Sequence, residues 1–387
     1  MCTIQSVLNC LKNINASTKH YVLNLMLTHR RKNCAAMADS NGSSVKKLYS
    51  FLSNAKINMQ EIEKELLLLA SETKKESVLR ALVIDPTAII KSHSKKIEKV
   101  CYDRTGCSKR VERCIVPVYA ALTDKNITIP FGLEFWVQEK NTGKKKYKSK
   151  IQITQELILN AKKKGIMFDY VALDGIFPVQ KMFDFFEKNS ELKFIMRIPK
   201  SRLVKIGNGA PIALKNQPLL KLERNEREKT VQAELYGKTY FFTAQKRKTP
   251  SGDWETVFLV SNMDLPAKEQ VAAYALRWPI EKMIRTTKQK FGTTQCQVLK
   301  ASKQQAHIMA GFLLYSIIDS LKKDKQKISV DEIVNDIRKF YYNDLISEIE
   351  MLQHVQSQQS TVPAAKTFQN RFKFLLHNHD SIRFSYV

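Results

Sequence analysis

Over the first 80 residues apolar positions recur at helical spacing, in TIQSVLNCLKNI, HYVLNLMLTHRR, VKKLYSFLSNAK and MQEIEKELLLLASE. NGSS at 41–44 interrupts this pattern and offers Ser43 or Ser44 as an N-cap. The period then changes. ALVID, CIVPVYAALT and ITIPFGLEFWVQ read as three strands, with Asp124, Lys125 and Asn126 as the turn between the last two. Between the first two, KSHSKKIEKVCYDRTGCSK reads as a basic loop. A helix follows in TQELILNAKKKG, capped by Thr154 and stopped by Gly165. DYVALD is the next strand, a helix opens at Pro178, and FIMRIP is a fifth strand. Over 200–262, LLKLER, TVQAELY, TYFFTAQKRK and ETVFLVSN are strand-like, with Gly237-Lys238 and Ser251-Gly252 as turn signals. Helical spacing resumes in AKEQVAAYALRWPIEKMIRTTKQKFG, where Pro279 kinks or restarts the helix. Ser329 and Glu332 have the spacing of a capping box for one more helix.

Three strands in meander, then helix, strand, helix and strand, is the element order of a ribonuclease-H-like fold. The expected class is therefore α/β with a mixed sheet. The expected organisation is a helical domain over 1–78, an α/β core over 79–199 and 266–322, a β-rich segment over 200–265 between its two parts, and a helical C-terminal region over 323–387.

At 387 residues, 43% of them hydrophobic, the chain is globular and long enough for two or three domains. The formal charge of +27, from 64 basic and 37 acidic residues, points to a polyanion partner, because neutralising phosphates releases counterions. Lysine-rich codon usage is the plainer source of the same excess. The basic ends of the early helices (His29, Arg30, Arg31 and Lys32, then Lys46 and Lys47) suit DNA contact or a solvated face. Seven scattered cysteines suit a reducing cytosol better than a disulfide framework. Cys101, Cys107 and Cys114 cluster near His93, but their spacings match no common zinc pattern. No export signal is evident, and the apolar window 306–318 is too short to span a bilayer, which excludes a membrane protein of the helical kind.

The chemistry concentrates in YALRWPIEKMIRTTK. Tyr274, Arg277, Glu281 and Lys288 are spaced Y-x2-R-x3-E-x6-K, and on one continuous helix they fall within an arc of roughly 60°. A carboxylate there can bind a divalent cation, with basic groups beside it to hold phosphate oxygens. Asp85 ends ALVID and Asp174 ends DYVALD, both at the C-terminal tips of strand-like runs, where open sheets place ligands. Alone, each aspartate reads more readily as a turn residue, before Pro86 and Gly175 respectively. Asp103 and Asp169 are decoys, one in a loop and one ahead of its strand. Two Asp and one Glu can share two Mg2+ ions.

The triad with this spacing resembles the cut-and-paste DDE transposases of bacterial insertion sequences, the group with the YREK signature, over residues 40–320. The resemblance implies Asp85, Asp174 and Glu281 as catalytic metal ligands, two Mg2+ ions with Mn2+ able to substitute, and Tyr274, Arg277 and Lys288 as phosphate contacts. It also implies double-stranded DNA as partner, at element ends and target, a homodimer on paired ends, and a bacterial cytoplasmic, nucleoid-associated setting. Trp254 lies in the insertion region where relatives that form hairpin ends stack a flipped base, with Phe241 and Phe242 competing for that role. Trp136 and Trp278 are expected in the core. Many relatives carry a basic residue after the second Asp, where this chain has Gly175. A stand-alone nuclease, a catalytically silent DNA-binding derivative and a purely structural helical protein are the alternatives.

Overall fold

Residues 4–28, 32–41, 44–53, 57, 59–72, 78–94, 96–106, 108–141, 147–249, 251–322 and 328–358 are described by the structure, a computed structural model. The chain forms two compact units, residues 1–65 with 285–387, and residues 66–284.

The helical unit begins with α1 (Ile4–Cys10), α2 (Ala16–Leu27), α3 (Cys34–Asn41) and α4 (Val45–Ser53). Ser44 stands at the start of α4 and accepts from the Lys47 amide at 3.4 Å, as one of its two expected caps would. Ser43 lies outside the described residues, as do His29, Arg30 and Arg31. Helix α5 (Met59–Glu72) runs along the chain from the first unit into the second.

The α/β unit continues with β1 (Ala81–Pro86), β2 (Ile89–Ile90), β3 (Cys101–Arg104), β4 (Val111–Thr123) and β5 (Thr128–Trp136). After α6 (Lys150–Lys163) come β6 (Tyr170–Leu173), α7 (Gln180–Lys188) and β7 (Phe194–Ile198). The last part holds β8 (Leu203–Val204), β9 (Ile212–Ala213), β10 (Glu228–Leu235), β11 (Lys238–Lys248), β12 (Trp254–Ser261), α8 (Ala267–Ala275) and the start of α9 (Trp278–Lys290). Among the described residues ten strands form one mixed sheet in the order β10-β11-β12-β7-β6-β1-β4-β2, with β3 and β5 also on β4. β1, β4 and β5 are the expected antiparallel meander, and β6 and β7 add to β1 in parallel. Ala81–Ile84 and Tyr170–Leu173 are buried throughout, as central strands covered on both faces require.

Several local expectations are corrected. Helix α6 starts four residues before Thr154, because Ser149 and Gln152 form a reciprocal capping box, and Thr154 is buried inside the helix. Gly165 stops it as expected, at φ +69°. The basic loop contains β3, whose Cys101 faces Cys114 of β4; the short segment CYDR buries too little to leave a pattern in the sequence. Both thiols are free, and Cys107 lies outside the described residues. LLKLER forms no strand, only a 3-10 turn at Pro218–Leu220. Within the predicted β-rich stretch, β10–β12 extend the core sheet, because β12 pairs with β7.

The Asp124 turn is as read, its carboxylate accepting from the Asn126 and Ile127 amides at 2.8 and 3.0 Å. Asp124 also pairs with Arg80 at 2.9 Å, both side chains buried, and Arg80 donates onward to the Ala70 carbonyl at 2.6 Å. Asp169 accepts from the Arg80 amide and Asp103 from Lys150, so both decoys have structural work.

The helical unit is completed by α10 (Ala301–Ser320) and α11 (Val330–Gln358). The Ser329–Glu332 capping box forms in both directions. Buried His307 of α10 bonds Tyr21 of α2 at 2.7 Å, and Arg338 of α11 donates to the Met26 carbonyl at 2.6 Å. Residues 359–387 lie outside the described set. Among the described residues no helix is long and apolar enough to cross a membrane.

Candidate active site

Parallel pairing fixes the two aspartates. Ile84 of β1 is in register with Leu173 of β6, so Asp85, still within β1, and Asp174, just past the end of β6, stand at the same level of neighbouring strands. Adjacent strands lie about 4.8 Å apart, within reach of a shared ligand. Both side chains are half-buried.

The third element is anchored from below. Tyr170 of β6 donates to the Ala273 carbonyl at 2.9 Å, and Thr123 of β4 donates to the Leu276 carbonyl at 2.5 Å. The helix stops at Ala275 and restarts at Trp278. Pro279 sits in the first turn of α9, where a missing amide hydrogen costs nothing. The single-helix stripe expected from sequence is thereby broken. Tyr274 is on α8, Arg277 in the break and Glu281 in the first turn of α9, while half-buried Lys288 falls on the stretch of α9 belonging to the helical unit.

The break still gathers three of the four. Tyr274, Arg277 and Glu281 line a cleft of about 740 Å3 together with Asp174, Arg197 and Trp278. The Tyr274 hydroxyl donates to Asp174 Oδ1 over a long 3.4 Å. Burial pushes that phenol up to about 12, so it remains a donor at neutral pH. Arg277 is 6% exposed and its Nη2 donates to the Glu281 carboxylate. Its guanidinium lies 5.7 Å from the Tyr274 ring and 5.8 Å from the Trp278 ring. Burial disfavours its charge, but Tyr274, Asp174 and Glu281 outweigh that and raise its pKa. Its buried Nε has no partner among the described residues.

A second cleft, of about 820 Å3, shares Asp174 and Arg197 with the first and adds Lys200, Lys215, Lys221 and Trp254. Trp254 is 51% exposed, with Arg227 4.5 Å and Lys248 5.5 Å from its ring. Trp278, expected in the core, is 54% exposed on the cleft, because α9 begins there and turns the indole outward. Trp136 is half-buried, beneath Lys150 at 4.4 Å. Phe242 is fully buried, which removes it as a stacking platform.

The carboxylate set expected from sequence is not assembled. Among the described residues no three His, Cys, Asp or Glu side chains stand close enough to hold an ion. Asp85 lines neither cleft, and Glu281 is engaged by Arg277, a cation already in place. Two hard oxygen donors at adjacent strand ends nevertheless suit Mg2+, which commonly takes one or two carboxylates and keeps several waters. Arg197, Arg247 and Glu255 also line the first cleft and were not singled out in the sequence. For Arg197 a signal existed: it is a lone charge in the apolar strand FIMRI.

Residues 6–232, more than half of the chain, match the family described as DDE superfamily endonuclease, and the chain belongs to that family. The match includes Asp85 and Asp174 and ends before Tyr274 and Glu281. No curated protein matches the chain. Membership gives a nuclease or transposase type of enzyme, acting on DNA and dependent on divalent metal.

Proposed function

We propose that this chain is a DNA transposase of an insertion sequence, cutting the element's ends and joining them to target DNA. The observation that carries the reading is the emergence of Asp85 and Asp174 at one level of neighbouring parallel strands, with Glu281 lining the cleft that contains Asp174. In this reading Asp85 and Asp174 would hold Mg2+, with Glu281, now paired with Arg277, as the third carboxylate. When bound there, Mg2+ would activate the attacking oxygen and stabilise the leaving oxygen of an in-line displacement. The chain's own residues do the rest. Tyr274 orients Asp174, Arg277 takes a phosphate oxygen with its buried fork, and Trp254, between two cations, offers a face to an unpaired base. Lys288, the YREK grouping and a homodimer on paired ends belong to the same proposal, as does a bacterial, nucleoid-associated setting.

A catalytically silent DNA-binding derivative is the second reading, favoured by the Arg277–Glu281 pair that occupies the third carboxylate. One experiment separates the two. DNA bearing the element's ends is incubated with Mg2+, with EDTA, and with Asp85→Asn, Asp174→Asn and Glu281→Gln chains. Metal-dependent cleavage lost in all three variants supports the transposase. DNA binding with no cleavage under any metal supports the silent derivative, and cleavage unchanged in Glu281→Gln removes that residue from the mechanism.

A further inference from the structure

Arg197 stands out among the arginines that line the first cleft. Arg247 is matched to Glu255 and Arg277 to Glu281. Arg197 is half-buried on β7, and among the described residues its guanidinium makes no hydrogen bond or ion pair. It borders both clefts, as Asp174 does. A half-buried guanidinium with no partner among the described residues, bordering two open clefts, is free to meet an anion that enters them. Its position is as informative as its charge. A Cβ built on Gly175, the residue after Asp174, would lie 3.9 Å from the Arg197 Cγ and Cδ. The Arg197 stem thus runs along the place where a side chain at 175 would begin, and no positive φ bars such a side chain.

We propose that Arg197 is a phosphate-binding residue of this site, holding a DNA backbone phosphate beside Asp174 from the neighbouring strand, because Gly175 brings no side chain of its own. The proposal rests on the DNA-processing reading above. Phosphate suits the position: a guanidinium fork matches two phosphate oxygens, and Lys200, Lys215 and Lys221 line the second cleft that Arg197 borders. The acid and the arginine are adjacent yet not bonded to each other, so one is available to a cation and the other to the anion that cation accompanies.

The test uses the full chain and a short DNA duplex, with affinity read by anisotropy across a salt series. Arg197→Gln is expected to weaken binding about tenfold and to reduce the salt slope by about one. Gly175→Arg added to that variant is expected to restore the slope, which a packing role would not do. Wild-type slope in Arg197→Gln overturns the proposal, and so does a loss that Gly175→Arg leaves unrecovered. A second measurement needs no variant. Phenylglyoxal modification of Arg197 in the wild-type chain, read by mass spectrometry, should fall when duplex is bound, and equal modification with and without duplex is again an overturning result. Failure of the wild-type chain to bind duplex even at low salt sinks the DNA-processing reading itself, and this proposal with it.

Discussion

Arg277 and Glu281 hold each other across the junction where α8 ends and α9 begins, the arginine buried and the carboxylate 38% exposed. The pair is an i,i+4 contact, but the helix break turns it into a connection between the two helices' ends. A guanidinium on that carboxylate competes with any metal ion for it. Because Glu281 is partly solvated, the pair is worth at most about 1 kcal/mol. Arg277→Gln should therefore tighten Mn2+ binding by about two- to fivefold without DNA, measured by calorimetry. The same substitution should lower cleavage, since the proposed phosphate contact goes with it. Opposite signs for binding and turnover are the signature; an unmoved Mn2+ affinity would mean that the pair does not guard the carboxylate.

How far the sequence foretold this arrangement depends on range. The strand positions of Asp85 and Asp174 were readable because ALVI and YVAL are unbroken apolar runs, and buried parallel strands need such runs. Pro279 announced the break after Ala275. What the break does to Tyr274, Arg277 and Glu281 was not readable, because it depends on Thr123 and Tyr170 holding the end of α8 from distant strands. The same holds for β12, whose pairing with β7 leaves no local trace, and for the helical unit, which is built from the two ends of the chain. Trp278 was assigned to the core on residue type alone, and the helix start exposes it.

The buried pair Arg80–Asp124 should be among the most sensitive structural positions outside the site. Asp124 closes the β4–β5 turn and neutralises a guanidinium that is 2% exposed. Asp124→Ala leaves that charge buried alone and unpins the turn, a loss of about 3–5 kcal/mol. Urea unfolding of the two chains measures it, and a shift below about 1 kcal/mol would show the arginine finding water instead.

Lys32 carries a pH dependence of definite sign. Burial, then Arg338 and Lys290, lower its pKa to about 7. Between about 7 and the ordinary lysine range the unfolded chain binds the proton that the folded chain has released, so stability rises with pH across that window and the gain is absent below it. Lys32→Met should be more stable than wild type at pH 6 and should lose this part of the slope, read from thermal unfolding between about pH 6 and 9.5. The upper limit stays below the range where buried tyrosines such as Tyr21 and Tyr315, with raised pKa values, begin to act with the opposite sign. Parallel pH profiles in the two proteins would place the lysine's charge elsewhere.

Trp254 offers the most direct view of nucleic acid arriving. Its indole is half-exposed between Arg227 and Lys248, so a base stacking on it would also bring a phosphate to those cations. Two consequences separate stacking from charge. Trp254→Ala should weaken binding of a duplex with a frayed or single-stranded end by about 1–3 kcal/mol, while Trp254→Phe keeps most of it. Removing the ring leaves the cations, so the salt slope should stay the same, whereas Lys248→Gln should lower the slope by about one with a smaller loss of affinity. Equal losses for fully paired and frayed duplexes would assign Trp254 to packing of the β11–β12 edge and leave base stacking without its platform.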